Sequence, residues 1–474
     1  MKHLYRCPVV MLLLGVAAVS TLFAGGDKYS PRIVGMGRAF TAVSRGLDAV
    51  GTNPANLALS DRDATITLDI VSAGLAAGSD FINLKIYNDH FTGIPDPNDP
   101  NKRIGKYLSA QDKRDILELF PEGIARTQTS LGAQTMGLSL QIGDFGFAIA
   151  PSLQFNTNLD LSEGYLKFPL MGHEFERLYS FNGTAINASL IAEVNASAGY
   201  ILPLELPGVS EIAVGVGVKY LQGLFYTATD HYNAYIDVQG TNYTDANTGE
   251  QHFFAQNIVG EFDYLQYFAV DTVSSTPQPV GSGMGFDIGV SAFIFDAVRV
   301  GASVTDIGSI TWDKYTKAII GRSSFSLDNP TDTAQQNKVA NAFKGETKDT
   351  SAFTYSLPTA FHLGAEMRVD EVLDAIPFRW TVAVDMHLGM NEVAGNTKLA
   401  QFAIATELDP LAGWLPLRTG IFLGGRERFA WSAGFGIHLA NTLDLDFATQ
   451  SIALLTNPET FRIGSFVMGM RLRF

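Results

Sequence analysis

The chain ends FVMGMRLRF, Phe466–Phe474. Taken by twos from the last residue, Phe474, Leu472, Met470, Met468 and Phe466 share one side, while Arg473, Arg471, Gly469 and Val467 share the other. Successive strand side chains point to opposite faces, so this stretch is a strand with one oily face and one face that is mostly charged or small. The pattern recurs upstream. Trp380, Val382, Val384, Met386, Leu388 and Met390 oppose Arg379, Thr381, Ala383, Asp385, His387 and Gly389. Phe429, Trp431, Ala433, Phe435, Ile437 and Leu439 oppose Ala430, Ser432, Gly434, Gly436 and His438. Two architectures fit such alternation. A sandwich turns the oily faces toward each other; a membrane barrel turns them to lipid and encloses the polar faces.

Connection lengths choose between them. Fourteen candidate strands run approximately over 64–77, 128–142, 145–159, 184–200, 211–229, 284–296, 298–312, 357–369, 378–390, 398–408, 416–425, 428–439, 443–452 and 460–474. The first four odd-numbered connections are long (78–127, 160–183, 230–283, 313–356), and the even ones are short. Long loops on one side and tight turns on the other are the outer-membrane arrangement. Each strand is long enough for the roughly 9–11 residues that a tilted spanning strand needs. Unpaired backbone groups cost several kcal/mol in hydrocarbon, so the first strand is expected to close on the last. The expected fold is all-β: a transmembrane antiparallel β-barrel of about fourteen strands over 63–474, in the bacterial outer membrane.

The beginning of the chain agrees. Lys2 and Arg6 precede an apolar run from Val9 to Val19, and small residues follow. That is the layout of a secretory signal peptide, expected to occupy 1–24. The run is shorter than the roughly 20 residues of a spanning helix. Its removal takes away Cys7, the single cysteine, and makes the formal charge of -15 two units more negative. No disulfide or thiol nucleophile then remains. An acidic chain without a Lys/Arg cluster is a poor nucleic-acid binder.

Between the signal and the first strand lies GMGRAFTAVSRGLDAVGTNPANLA, Gly35–Ala58. A fourteen-stranded barrel is too wide for wall side chains to fill, since eight strands mark about that limit. Residues 25–62, small and polar, are expected to lie in the lumen as a hatch. Gly35 and Gly37 permit close backbone approach. Asn53 suits an N-cap and Pro54 the first helical position. Gly-Met-Gly-Arg-Ala-Phe followed by Asn-Pro-Ala resembles the N-terminal hatch of FadL-like outer-membrane transporters for long-chain fatty acids and other hydrophobic compounds. Gly35, Gly37, Arg38, Ala39, Asn53, Pro54 and Ala55 carry the resemblance. It implies a hatch-plugged barrel whose Asn-Pro-Ala turn takes part in transport. PorV-like relatives share the motif and work in secretion, so a scaffold is the alternative function.

Ionisable residues on the expected lumen face are His362, Glu366, Arg368, Arg379, Asp385, His387, Arg418, His438, Asp444, Asp446, Arg471 and Arg473. They form either a relay or ligand site, or a salt-bridge and water network; the usual polarity of barrel interiors favours the second. Arg471 and Arg473 are expected to pair with Asp444 and Asp446. No Gly-x-Ser-x-Gly elbow is present. His173-Glu174 is followed by Phe-Glu-Arg, so the two-histidine zinc motif is absent. No enzyme, metal or cofactor is expected. Residues 230–283 hold seven acids, nine aromatics and no Lys or Arg. Phe253, Phe254, Tyr264, Tyr267 and Phe268 are expected to form an exposed loop surface that captures a hydrophobic small molecule or fatty acid, which then enters an apolar pocket near the lumen. Expected partners are outer-membrane lipid and the barrel-assembly machinery, the latter through Phe474; the protein is expected to be a monomer.

Overall fold

In a computed structural model of the chain, residues 29–474 are described except 62–63, 98, 172–177, 205, 247, 250, 275–276, 296, 330–331, 374, 412, 440–441 and 460–461. The expected signal peptide lies outside them, as does the His173-Glu174 pair. The structure is a closed antiparallel barrel of 14 strands. They are β1 (Ile66–Ser79), β2 (Ile124–Ile142), β3 (Phe145–Ser162), β4 (Ala185–Leu202), β5 (Val209–Thr244), β6 (Gly281–Ile294), β7 (Val298–Trp312), β8 (Ala360–Arg368), β9 (Arg379–Gly389), β10 (Gln401–Asp409), β11 (Leu417–Gly424), β12 (Arg428–Leu439), β13 (Leu443–Thr449) and β14 (Ile463–Arg473).

β1 pairs with β14 from Thr67 opposite Arg473 to Gly78 opposite Ile463, which closes the ring. Phe474 extends the seam. Its backbone N–H donates to Ile66 O at 2.8 Å, and its carbonyl accepts from Thr65 N at 2.8 Å and Ile66 N at 2.9 Å. The faces sort as the alternation requires. On β14, Phe466 and Met468 are exposed, whereas Ser465, Val467, Arg471 and Arg473 are buried. On β9 to β12, Val384, Leu388, Phe402, Ile404, Ile421, Leu423, Phe429, Trp431, Phe435 and Ile437 stand exposed around the outside. An uncovered apolar belt of this extent is the lipid-facing surface of a membrane barrel. The ring thus spans the outer membrane, and the end bearing the long connections is termed the outer end.

The outer end differs from the expected loops. β5 runs on past the barrel to Thr244 and pairs with a strand over Gln251–Val270. That strand pairs in turn with Thr316–Leu327. The predicted loop 230–283 is therefore largely a protruding sheet with its own core of Tyr179, Phe181, Phe262, Tyr264, Phe325 and Phe343. Ala234, Ile236 and Val238 are buried and alternate with Tyr235, Asp237 and Gln239, a period of two that the sequence carries. The helix expected after Ser109 forms over Ala110–Glu118, with Ser109 and Asp112 in a capping box. Ile116 and Phe120 are buried beneath it, and Phe120 meets the Phe81 ring at 4.4 Å.

Candidate functional site

Residues 29–61 lie inside the ring. Ser30 caps a short helix over Pro31–Gly35, and 3-10 turns follow over Gly46–Ala49 and Pro54–Ala58. Nearly all of this inner segment is buried against the inward face of the wall. Charged and amide groups fix it on every side. Arg32 donates to Glu407 at 2.9 and 3.1 Å. Arg45 pairs with Glu366, and Asp61 with Arg473 at 2.5 Å. Asp48 accepts from Ser30 Oγ at 2.7 Å and meets Arg471 at 2.8 Å. Asp385 accepts the backbone N–H groups of Phe40 at 3.1 Å and Thr41 at 2.7 Å, and the Thr41 hydroxyl at 3.0 Å.

Asn53 caps the last turn, accepting from Ala55 N at 3.2 Å. Its amide also donates to Thr41 O at 3.1 Å and, across to β6, to Val290 O and Ser291 Oγ at 3.2 Å each. Pro54 follows at the first helical position and Ala55 is fully buried behind it. Such contact requires bare backbone on the wall. A Cβ on Gly289 would stand 2.0 Å from Asn53 Oδ1. Gly37 has φ +56°, and a Cβ there would lie 2.9 Å from Gly420 C. Gly35 packs on Gly434 and on the Arg418 side chain. Arg38 also has positive φ (67°); it bonds Glu427 at 3.1 Å and lies over Phe422.

Seven of the twelve expected lumen residues fall into three groups. His362 and His387 meet edge to face at 4.3 Å, and His362 Nε2 shares a hydrogen bond of 3.1 Å with Thr305. Glu366 and Asp385 hold the inner segment, as above. His438, Asp444 and Asp446 gather on β12 and β13 at the short-turn end; His438 lies 3.4 Å from Asp446. The predicted pairing forms only in part. Arg473 pairs with Asp444, but Arg471 turns to Asp48 and to Asp69 at 3.2 Å, and Asp446 pairs with Arg418 at 2.6 Å. The inner segment supplies the carboxylate that redirects Arg471. Arg368 departs from the lumen altogether, pairing with Asp370 and Glu371 in the turn after β8. These three acid–imidazole neighbours could be mistaken for a metal site, but two arginines already occupy the carboxylates.

Several charged groups were missed, the one around Lys219 among them. Lys219 on β5 bonds Asp287 at 3.0 Å and Asp306 at 2.6 Å, with Asn195 donating to Asp287 at 3.1 Å. Lys219 and Asp287 fall on the inward row of their strands, so alternation could have placed them.

The capture surface is a correction. Tyr264 is buried in the protruding sheet, and Tyr267 packs on Phe353 and Tyr355 at 5.1 and 6.3 Å. Phe253 and Phe268 are half-buried, and Phe254 alone of the five is exposed. The aromatics satisfy one another instead of facing out. The space near the lumen is a second correction. A small chamber with about 80 Å³ of water-accessible space lies outward of the inner segment. Its lining includes Arg38, Gln128, Gln154, Asn156, Glu193, Asn195, Lys219, Asp306, His362, His387 and Gln401, so it is polar, not apolar. Outward of it sits an aromatic group: Tyr226 stacks on Trp312 at 4.8 Å and meets Tyr355 at 4.9 Å, with Phe353 at 5.9 Å.

These features define a class: an outer-membrane β-barrel filled by its own N-terminal segment. The chain belongs to the family described as "Family of unknown function (DUF5723)", which matches residues 82–439. The barrel is similar to three solved structures. The toluene transporter TbuX of Ralstonia pickettii is 12% identical, covering 94% of this chain and 99% of its own, with TM-score 0.44. The toluene transporter TodX of Pseudomonas putida is 12% identical over 96% and 98%, at 0.41. A FadL homologue from Pseudomonas aeruginosa is 11% identical over 95% and 97%, at 0.43. The fold assignment rests on the closed ladder and not on these likenesses. No curated protein matches the chain by sequence.

Proposed function

We propose that the protein passes small hydrophobic molecules across the outer membrane without an energy source, with residues 25–62 acting as a hatch. The observation that carries this reading is the aromatic group of Tyr226, Tyr267, Trp312, Phe353 and Tyr355 at the mouth, joined by Leu221, Ile310 and Leu357. It adjoins a break in the β7–β8 ladder, which a single backbone bond from Leu357 N–H to Gly308 O at 3.0 Å bridges. β7 pairs with β8 only as far as Thr305 opposite Ala360, then with Phe353–Ser356 from Ser309 onward. Between them Asp306 has φ 57° and Gly308 φ 158°. An apolar molecule gains by resting among the rings and loses by entering the polar chamber. Its favoured exit is therefore sideways through the break into lipid. Direction follows from the gradient alone, and unequal affinity for the conformations of the wall shifts only their populations.

Neutral compounds fit better than fatty acids, because the seven acids of 230–283 face no Lys or Arg within that stretch. Charges beyond about 8 Å are screened at physiological salt, so the preference is one of degree. Phe474, at the seam, serves as the recognition residue for the barrel-assembly machinery, and the working unit is a monomer. The protruding sheet supports a second reading, a scaffold that holds a secreted partner; co-purification of such a partner with the intact barrel is its test.

Vesicles carrying the protein test the first. Uptake of a radiolabelled neutral hydrophobe such as toluene is compared for wild type and for a double variant, Asp306→Cys with Thr359→Cys. Thr359 Oγ1 donates to Asp306 O at 2.7 Å, so the pair spans the break. Oxidation is expected to slow uptake and reduction to restore it. Uptake equal to that of empty vesicles removes the proposal.

A further inference from the structure

The connection between β9 and β10, residues 390–400, does not stay over its own strands. β3 lies seven strands from β10 in a ring of 14, on the opposite wall, yet the connection reaches it. Asn158 on β3, 1% exposed, donates through Nδ2 to Val393 O at 2.8 Å and to Asn396 O at 3.2 Å, and its Oδ1 accepts from Gly395 N at 3.3 Å. A Cβ on Gly395 would stand 2.8 Å from Asn156 Cγ, so bare backbone rests on the far wall. Asn396 donates to Thr359 O at 2.9 Å and Asn391 to Leu357 O at 2.6 Å, just before β8. Arg426, in the turn after β11, holds a third side: it pairs with Asp160 of β3 at 2.5 Å and with Glu392 at 2.6 Å. Ala394, Asn396 and Thr397 are buried by this arrangement.

Gly395, Asn396 and Thr397 line the chamber from its outer side, and Tyr29, Val50 and Gly51 of the inner segment line it from below. The lumen is therefore closed twice. Among the described residues, every direct hydrogen bond between 390–400 and β3 runs through the Asn158 side chain; none joins backbone to backbone as a ladder would. The Arg426 bridge between Asp160 and Glu392 adds an ionic tie. A segment fastened across an opening by one amide and one guanidinium comes away at far lower cost than the hydrogen-bonded strands around it.

We infer that residues 390–400 form an outer lid over the lumen, latched by Asn158 and Arg426, and that entry into the chamber from the outer end requires its release. The lid does not depend on the cargo proposed above, and a scaffold would carry it equally. The test puts a thiol in the chamber by Gln154→Cys, since residue 154 is part of the lining. The full-length protein in detergent micelles is treated with iodoacetamide, and mass spectrometry reads the rate of modification at 154. Modification should be slow with the latch intact. Asn158→Ala and Arg426→Gln, on separate elements, should each speed it about tenfold, the effect of losing a hydrogen-bonded partner. Arg428→Gln, outside the latch, should leave the rate unchanged. Folding of each variant is checked by its heat-dependent shift in gel mobility, and amide exchange at Phe40 and Thr41 should stay at the wild-type rate, since those amides report the inner segment. Four results overturn the inference: fast modification with the latch intact, an unchanged rate in the folded latch variants, equal acceleration by Arg428→Gln, or acceleration accompanied by faster exchange at Phe40 and Thr41.

Discussion

Asn53→Ala is the sharpest perturbation of the seating of the inner segment. The side chain makes the cap bond to Ala55 N and donates to Thr41 O, Val290 O and Ser291 Oγ, all at 3.1–3.2 Å and fully buried. Loss of an N-cap costs about 1 kcal/mol. Each wall bond adds about 0.5–1.5 kcal/mol. Thr41 O loses less, because Asn56 Nδ2 also donates to it at 3.0 Å. Together the seated conformation should weaken by about 2–4 kcal/mol. At about 1.4 kcal/mol per tenfold, the unseated population rises roughly 30- to 700-fold. Amide hydrogen exchange of Phe40 and Thr41, whose N–H groups bond Asp385, reports that population in purified protein. Exchange at these two sites should accelerate by that factor while the amides of β14 stay protected. Unchanged exchange at Phe40 and Thr41 in the folded variant would refute the claim that Asn53 fastens the segment to β6.

The wall side gives a companion experiment. Gly289→Ala places a methyl in the space of Asn53 Oδ1, so it should reproduce the Asn53→Ala exchange pattern with Asn53 itself intact. Acid provides another. Burial acts to raise the Asp48 carboxyl, but Arg471 and the Ser30 hydroxyl outweigh it and hold the group below the usual carboxylate range. A depressed carboxyl adds stability that is complete above the unfolded value, about 3.9, and is lost as pH falls through the folded value. Protease cleavage of the inner segment should therefore stay flat from neutral pH downward and rise only below about pH 4; a rise already near pH 6 counts against it. On the outside, Met468→Arg should destabilise the barrel in vesicles by about 2–4 kcal/mol, measured by urea unfolding, because Met468 lies mid-strand on the lipid face.

The barrel was legible because one physical rule acts on every strand. Lipid outside and water or polar contacts inside impose a period of two, so the face of Phe466, Trp431 or Asp385 could be assigned from its neighbours alone. The N-cap at Asn53 was legible for a local reason, since a cap needs only its own turn. Partners were harder. Arg471 and Asp444 sit opposite in register, yet Arg471 reaches Asp48, more than four hundred residues away, because the inner segment brings a second carboxylate within reach. The extension of β5 was missed because the strand was ended at 229, although Ala234, Ile236 and Val238 keep the period. The chamber was misjudged for another reason: Gln128, Asn156, Glu193 and Gln401 come from four different strands, and only the closed ring places them together.

Everything above depends on which row of each strand meets lipid. Single-tryptophan variants reconstituted with brominated lipid measure this directly. Trp431 stands on the outer face, half exposed, and Trp312 is 1% exposed on the inner one. Bromine should quench the fluorescence of Trp431 strongly and leave Trp312 at its intensity in ordinary lipid. Strong quenching of Trp312, with Trp431 untouched, would contradict the account.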